Sequence, residues 1–237
     1  CTPPHDIPGR SINEYMPDGP GSDLLLDLMK RSEAVLKEHR INVERRARGE
    51  TEPNTIWLFW GSGKLPEMPA FKDAYGLDAA ITSGVDLLRG LAKMADMKIL
   101  DIDGVNDGLD NDYPAQINGA LKALEKNDIA IVHIEAPDEA AHGGSVDEKV
   151  EAIRRIDGEV VSRIRAWRGD DLRVLVAPDH PTPIELRTHS SEPVPFLMWG
   201  KGFTENGAIR FTEPEAVKTS LYIDPGYNIM RKLVGTV

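Results

Sequence analysis

Short apolar stretches alternate with stretches of helical periodicity from about residue 55 onward, and this alternation constrains the fold most. Six apolar stretches predict strands, over residues 55–60, 79–82, 98–102, 129–134, 172–177 and 195–199. Helices are predicted over residues 85–94, 115–126, 147–167 and 213–233, the last broken near Pro225. Strands that alternate with helices of this length build a largely parallel sheet with helices on both faces. The sequence therefore predicts an α/β fold.

The first fifty residues have a different pattern. Eight prolines and glycines among the first 21 residues exclude a long helix or a central strand there. Apolar residues at helical spacing then predict an amphipathic helix over residues 23–38, capped by Ser22. We therefore divide the chain into residues 1–50 and residues 51–237. Because the chain opens with Cys1 where a natural chain has methionine, we expect it to be part of a longer protein.

Composition excludes several classes of function. The 237 residues are 41% hydrophobic, which is enough for a substantial core. The net charge is -11 and the lysines and arginines are dispersed among acids, which argues against a nucleic-acid partner. The chain has no apolar run of about 18 residues and no signal segment, so we expect no membrane association and a cytoplasmic location. Its single cysteine rules out an internal disulfide.

Carboxylates and imidazoles follow two of the predicted strands. Asp179 and His180 come directly after residues 172–177, and His189 stands nine residues further on. Asp138 and His142 follow residues 129–134 and are four apart, so one helical turn would place them on the same face. The carboxyl ends of parallel strands meet at one edge of a sheet. These residue types suit Zn or Mn, and the carboxylates also admit Mg, so the sequence predicts a metal centre.

Other chemistries fit less well. Glu135 and Asp138 would be candidate acids of a glycosidase, but that interpretation leaves the clustered histidines unexplained. Ser62 lies in a Gly-Ser-Gly turn that lacks the Gly-x-Ser-x-Gly spacing of a serine hydrolase. His133 lies within a predicted strand, so we interpret it as a core histidine or one that supports a metal ligand.

Three cations are candidate phosphate contacts. Arg45 and Arg46 belong to a basic cluster over residues 42–49, for which a solvated helix end is the alternative. Lys64 ends a glycine-rich turn after the first predicted strand, where it could meet an anion. Neither this turn nor the one over residues 104–108 matches a phosphate-binding or dinucleotide-binding motif.

The motifs at the two strand ends carry a family resemblance. Asp138-Glu-Ala-Ala-His142, Asp179-His180-Pro-Thr-Pro and Thr188-His189-Ser-Ser-Glu-Pro-Val-Pro resemble the carboxyl-terminal metal motifs of the archaeal-type cofactor-independent phosphoglycerate mutases. These enzymes belong to the alkaline phosphatase superfamily. The resemblance extends over most of the chain, and it includes a bacterial branch proposed as homoserine kinases.

The resemblance implies two divalent ions, Mn, Zn or Mg. Asp138, His142 and His189 would hold one ion, and Asp179 and His180 would hold the other together with an aspartate and a nucleophilic serine from an upstream part of the protein. Residues 1–50 would be the tail of an inserted domain that covers the substrate. The implied reaction interconverts 2- and 3-phosphoglycerate through a phosphoserine.

Four outcomes remain open on the sequence. The small phosphorylated substrate could be that of a mutase, of a homoserine kinase or of a metal-dependent phosphohydrolase, and the fourth outcome is a metal-binding remnant without turnover. Because the implied serine lies outside residues 1–237, we expect this part alone to be inactive. The oligomeric state is not predicted.

Overall fold

The computed structural model describes residues 1–7, 9–61, 63–167 and 171–235. Contacts divide the chain into two compact units, Cys1–Pro66 and Glu67–Val237. The limit of the predicted inserted-domain tail near residue 50 stays a prediction. Ser62 lies outside the described residues.

Two helices build the first unit, α1 (Ser22–Glu38) and α2 (Arg40–Ala47), preceded by short 3-10 turns at Pro4–Asp6 and Ile12–Glu14. The predicted helix over residues 23–38 is confirmed, but its predicted cap is wrong. Gly21 occupies the N-cap position with φ 90°, and no side chain caps the helix. A positive φ favours glycine, which explains why the residue before the helix is not a capping serine.

The predicted strand over residues 55–60 is wrong. These residues are irregular and their polar groups bind within the first unit. The Thr55 hydroxyl donates to the Met29 carbonyl at 3.1 Å, and the Trp57 indole N–H donates to the Thr2 carbonyl at 2.8 Å. Trp60 then takes a left-handed φ of 49°, which is incompatible with a continuing strand.

A three-stranded parallel sheet organises the second unit. Its strands are β1 (Ala79–Thr82), β2 (Lys98–Ile99) and β3 (Ile129–Val132), in the order β2-β1-β3. All four residues of β1 are buried because this strand is central. The sheet is flanked by helices, so the predicted α/β fold is confirmed.

The last two strands form a separate antiparallel pair, β4 (Arg173–Val176) and β5 (Leu197–Gly200). The sequence predicts a largely parallel sheet, and these two strands depart from it. A parallel connection needs a crossover, usually a helix, and the residues between β4 and β5 include five prolines and form no helix. The loop they form instead carries His180 and His189.

Eight α-helices belong to the described residues of the second unit. They are α3 (Phe71–Tyr75), α4 (Asp86–Met94), α5 (Tyr113–Ala123), α6 (Ala136–His142), α7 (Val146–Arg155), α8 (Ser162–Ala166), α9 (Glu213–Lys218) and α10 (Ile229–Val234). The π-helical residues Ile156–Val161 join α7 to α8. The predicted helix over residues 147–167 is therefore confirmed with a change of helical type at its middle.

The core of the second unit lies between the sheet and helices α5, α6 and α7. Its buried residues are Tyr113, Ile117, Ala120, Ala136, Ala152 and Val160. Three of these positions are alanines, one each on α5, α6 and α7. Among the described residues, no helix has the length and apolarity to cross a bilayer. The cytoplasmic location stays a prediction.

Candidate metal centre

Helix α6 places two of the predicted donors on one face. The helix begins at Ala136, shortly after β3, and Pro137 lies in its first turn, where a missing N–H costs nothing. Asp138 lies in the first turn and His142 is the last residue, one turn on. The Asp138 Oδ2 is 3.1 Å from the His142 Nε2. The helical turn on which this prediction depended is present.

His189 brings a third donor from the loop after β4. Its Nε2 lies 3.1 Å from the His142 Nε2 and 3.5 Å from the Asp138 Oδ1. Donors about 2.0–2.2 Å from a tetrahedral ion stand about 3.3–3.6 Å from one another. The separations between the two imidazole nitrogens and the two Asp138 oxygens run from 3.1 to 3.5 Å, close to that spacing, and the donor set fits a divalent cation.

The hydrogen bond of the other His142 nitrogen fixes its tautomer. Nδ1 is 2.9 Å from the Arg187 carbonyl, which only accepts, so Nδ1 carries the proton. The Nε2 lone pair of the neutral ring then faces His189 and Asp138. Imidazoles that bind metal ions are oriented in this manner. Arg187 adopts a left-handed φ of 54°. Its guanidinium packs so closely on Gly144 that any side chain at that position would clash with it.

His180 joins the donors and Asp179 lies at their edge. The His180 ring stacks on the His189 ring at 3.8 Å between centroids. The ligand atoms of Asp138, His180 and His189 all lie within 4.8 Å of one another. The Asp179 side chain is 71% exposed, and its Oδ2 is 3.4 Å from the His180 Nε2. The structure thus gathers four of the five predicted donors, with the fifth on the solvent side of His180.

Thr182 supports the donors and was not among the predicted site residues. Its hydroxyl donates to the Asp138 Oδ1, and it also lies 3.3 Å from the His180 Nδ1. The Lys149 ammonium donates to the Thr182 carbonyl at 2.7 Å. Burial lowers the pKa of Lys149, and the charge of Asp138 opposes this effect. The position of the threonine between two prolines of the quoted motif is the one sequence signal for it.

A family model described as the metalloenzyme superfamily matches residues 22–223. The chain belongs to this superfamily. A second model, for 2,3-bisphosphoglycerate-independent phosphoglycerate mutase, matches residues 1–42. Membership implies the use of metal ions, in agreement with the gathered donors.

Curated relatives of this metalloenzyme are named as phosphoglycerate mutases. A 2,3-bisphosphoglycerate-independent phosphoglycerate mutase from Methanothrix thermoacetophila is 42% identical over 99% of this chain and 60% of the relative. A probable enzyme of the same name from Geobacter sulfurreducens is 39% identical over 98% of this chain and 59% of the relative. The chain thus spans about 60% of their length. These matches confirm the resemblance inferred from the motifs.

Solved structures support the same superfamily fold. A protein from Pyrococcus horikoshii superposes with a TM-score of 0.73 at 26% identity, over 91% of this chain and 57% of that chain. A cofactor-independent phosphoglycerate mutase from Thermoplasma acidophilum has a TM-score of 0.55 at 21% identity, over 91% of this chain and 51% of that one. The second likeness shows the fold alone.

Three carboxylates form a cluster that includes the donor Asp138. Oxygens of Glu135, Asp138 and Glu139 lie within 4.8 Å of one another. Burial raises the pKa of Glu139, and the charges of Asp107 and Asp138 raise it further. This excess of negative charge favours a cation at the site.

The three predicted phosphate contacts lie in the first unit. Arg45 donates to the Thr51 carbonyl at 2.7 Å, and Arg46 donates to Glu52 and to the Lys37 carbonyl. Both arginines thus hold the end of α2 to the segment that follows it. Lys64 is exposed. Their binding of substrate stays a prediction.

Proposed function

We propose that the chain is the metal-binding part of a 2,3-bisphosphoglycerate-independent phosphoglycerate mutase, which interconverts 2- and 3-phosphoglycerate. The names of relatives at 39% and 42% identity support this function. The match of residues 1–42 to the mutase family model supports it independently of the metal motifs. A cytoplasmic enzyme with a small phosphorylated substrate follows from the proposal.

The orientation of His142 is the observation that carries the proposal. Its Nδ1 proton is committed to the Arg187 carbonyl, so the Nε2 lone pair faces the His189 nitrogen 3.1 Å away and the Asp138 carboxylate. Two imidazole nitrogens beside a carboxylate are the donor set of a hydrolytic or phosphoryl-transfer metal.

We propose that Asp138, His142 and His189 hold one divalent ion, and that Asp179 and His180 contribute to a second. When bound, such ions neutralise phosphate oxygens and lower the pKa of a nearby hydroxyl. Thr182 keeps the Asp138 carboxylate turned toward the imidazoles. Asp179 and His180 also line an open groove of about 2030 Å³, which is large enough to admit phosphoglycerate.

The transfer itself needs a nucleophile. We propose that a serine outside residues 1–237 attacks the phosphorus and gives up its proton. The bond between the phosphorus and the substrate oxygen breaks, and that oxygen takes up a proton and leaves as a hydroxyl. The phosphoserine then returns the phosphoryl group to the other hydroxyl of glycerate, and the serine regains its proton. On this proposal residues 1–237 alone bind metal but do not turn over.

A protein that spans the full length of the relatives tests the function. With Mn²⁺ and 3-phosphoglycerate, ³¹P NMR is expected to show 2-phosphoglycerate and no inorganic phosphate. His142→Ala is expected to lose this activity, whereas His39→Gln in the first unit retains it. Phosphate release without 2-phosphoglycerate would assign a hydrolase. ATP-dependent phosphorylation of homoserine, without mutase activity, would assign a kinase. Bound Mn²⁺ without any turnover would contradict the proposal altogether.

A further inference from the structure

A line of hydrogen-bonded side chains crosses the carboxyl ends of β1 and β3 beside the donors. The Ser83 Oγ is 2.9 Å from the His133 Nδ1, and the His133 Nε2 is 3.1 Å from the Glu135 Oε2. Ser83 is 2% exposed, and the His133 and Glu135 side chains are 18% and 24% exposed. The proposed metal chemistry uses none of these three residues.

The proton positions along this line follow from its first member. The backbone N–H of Val85 donates to the Ser83 Oγ at 3.0 Å, so the serine hydroxyl is free to donate to the His133 Nδ1. A neutral His133 then carries its proton on Nε2 and donates it to the Glu135 carboxylate. Every hydrogen bond in the line points the same way, and the line ends on a negative charge.

This order differs from that of a catalytic serine triad. In a triad the acid binds Nδ1 and the serine binds Nε2, which takes the serine proton. Here Ser83 binds Nδ1 and Glu135 binds Nε2, and Ser83 is nearly inaccessible. The arrangement therefore holds a carboxylate in place rather than activating a hydroxyl.

The histidine is held to the sheet by its backbone. The His133 N–H donates to the Thr82 carbonyl of β1 at 3.0 Å. The His133 carbonyl accepts the Gln116 side-chain N–H at 2.8 Å, and Gln116 is completely buried. His133 is thus fixed to β1 and α5, and the Glu135 side chain that its ring binds is held in place with it.

Glu135 transmits this rigidity to the metal donors. Its carbonyl accepts the N–H groups of Asp138 at 2.8 Å and Glu139 at 3.2 Å, which begins α6. Asp138 lies in that first turn and His142 follows one turn later. A shift of Glu135 would therefore redirect both donors together.

We propose that Ser83 and His133 are positioning residues that act through Glu135 to fix the start of α6, and with it the directions of Asp138 and His142. The effect on metal affinity rests on the proposed function. The effect on the helix does not, since it concerns hydrogen bonds among the chain's own groups. Residues that orient metal ligands contribute about 10- to 100-fold to metal affinity.

Two readouts on residues 1–237 test the inference. Calorimetry gives the Mn²⁺ affinity, and hydrogen exchange in metal-free protein gives the protection of the Asp138 and Glu139 amides. His133→Phe fills the space of the ring without its hydrogen bonds, and His133→Gln can place an amide N–H near the Nε2 position. Ser83→Ala removes the hydroxyl, and His39→Gln repeats the glutamine change at the N-cap of α2 in the first unit.

We expect His133→Phe to weaken Mn²⁺ binding at least about 10-fold and to speed exchange at both amides, with β1 and β3 unaffected. Ser83→Ala should follow in the same direction, His133→Gln should recover much of the loss, and His39→Gln should change neither readout. Unchanged exchange in His133→Phe would overturn the inference, and so would equal losses in His133→Phe and His133→Gln. If the wild-type chain bound no Mn²⁺, the proposed function would fail while the exchange data still decided the positioning role.

Discussion

The two strand ends that supply the candidate donors differ in how firmly they hold them. After β3, Asp138 and His142 lie on a helix, with the Thr182 hydroxyl on the carboxylate and the Arg187 carbonyl on the imidazole. After β4, Asp179 lies on a loop, 71% exposed, and contacts the backbone and ring of its neighbour His180. The donors after β3 are preorganised by this chain, whereas the Asp179 carboxylate after β4 is not.

This difference predicts two unequal metal sites. A preorganised set of donors loses little conformational freedom when an ion binds, whereas an exposed, solvated carboxylate must be ordered first. We therefore expect residues 1–237 to bind one ion well at the β3 end. The site that includes Asp179 is short of ligands, so a second ion should bind weakly.

The largest effect is expected from Asp138→Asn. The amide keeps the shape but loses the charge that faces both imidazoles, so Mn²⁺ affinity should fall by more than roughly 100-fold, beyond the range of supporting residues. Calorimetric titration measures it. Asp147→Asn, in the first turn of α7, is the matched control and should bind like the wild type. If Asp138→Asn bound Mn²⁺ as tightly as the wild type, Asp138 would not be a metal ligand.

Thr182→Val should have the next largest effect. Valine matches the shape of threonine but cannot donate to Asp138, so we expect Mn²⁺ affinity to fall about 10-fold. Thr219→Val removes a comparable hydroxyl, which donates to the Ala216 carbonyl in α9, and should leave the affinity unchanged. A Thr182→Val chain that binds as tightly as the wild type would show that Asp138 needs no such support.

Asp179→Asn should affect the first ion by less than about 10-fold, below the range of ligand-supporting residues. Its carboxylate is exposed and lies beside His180 rather than beside the His142–Asp138 pair. In calorimetry the tight phase should persist while any weak phase disappears. Loss of the tight phase in Asp179→Asn, with retention in Asp138→Asn, would reverse the ranking of the two ends.

Glu139→Gln should stabilise the metal-free chain slightly. Burial and the charges of Asp107 and Asp138 raise the pKa of Glu139, so the unfolded chain releases this proton at lower pH than the folded chain does. Folding stability is therefore lost as pH rises from the ordinary glutamate range through the raised pKa. At pH 8 the variant should melt on the order of 1 °C higher, with a smaller gain at pH 5. Thermal melts at both pH values measure this, and a variant less stable at pH 8 contradicts it.

The sequence predicted the α/β fold and the gathering of donors because strand periodicity and strand-end motifs are local signals. Asp138 and His142 needed one helical turn, and Pro137 at the start of α6 supports it. The antiparallel pairing of β4 and β5 was missed because apolar strands carry no mark of direction. The irregular residues 55–60 were missed because their apolar content resembles a strand while their bonds go to α1 and the amino-terminal end of the chain.

The supporting residues could not be assigned a role from the sequence alone. Thr182 and Arg187 contact Asp138 and His142, which lie far from them along the chain, and Lys149 holds the Thr182 carbonyl. His133 was interpreted as a core or supporting histidine, and its bonds to Ser83 and Glu135 agree with that interpretation. Side-chain partners across strands are a property of register, which periodicity does not supply.

An anomalous difference map from a crystal of residues 1–237 soaked in Mn²⁺ tests the central claim most directly. The account predicts one strong peak, within coordinating distance of the Asp138 carboxylate and the Nε2 atoms of His142 and His189, with weaker density or none beside Asp179. A strong peak beside Asp179 with no peak among Asp138, His142 and His189 would contradict it.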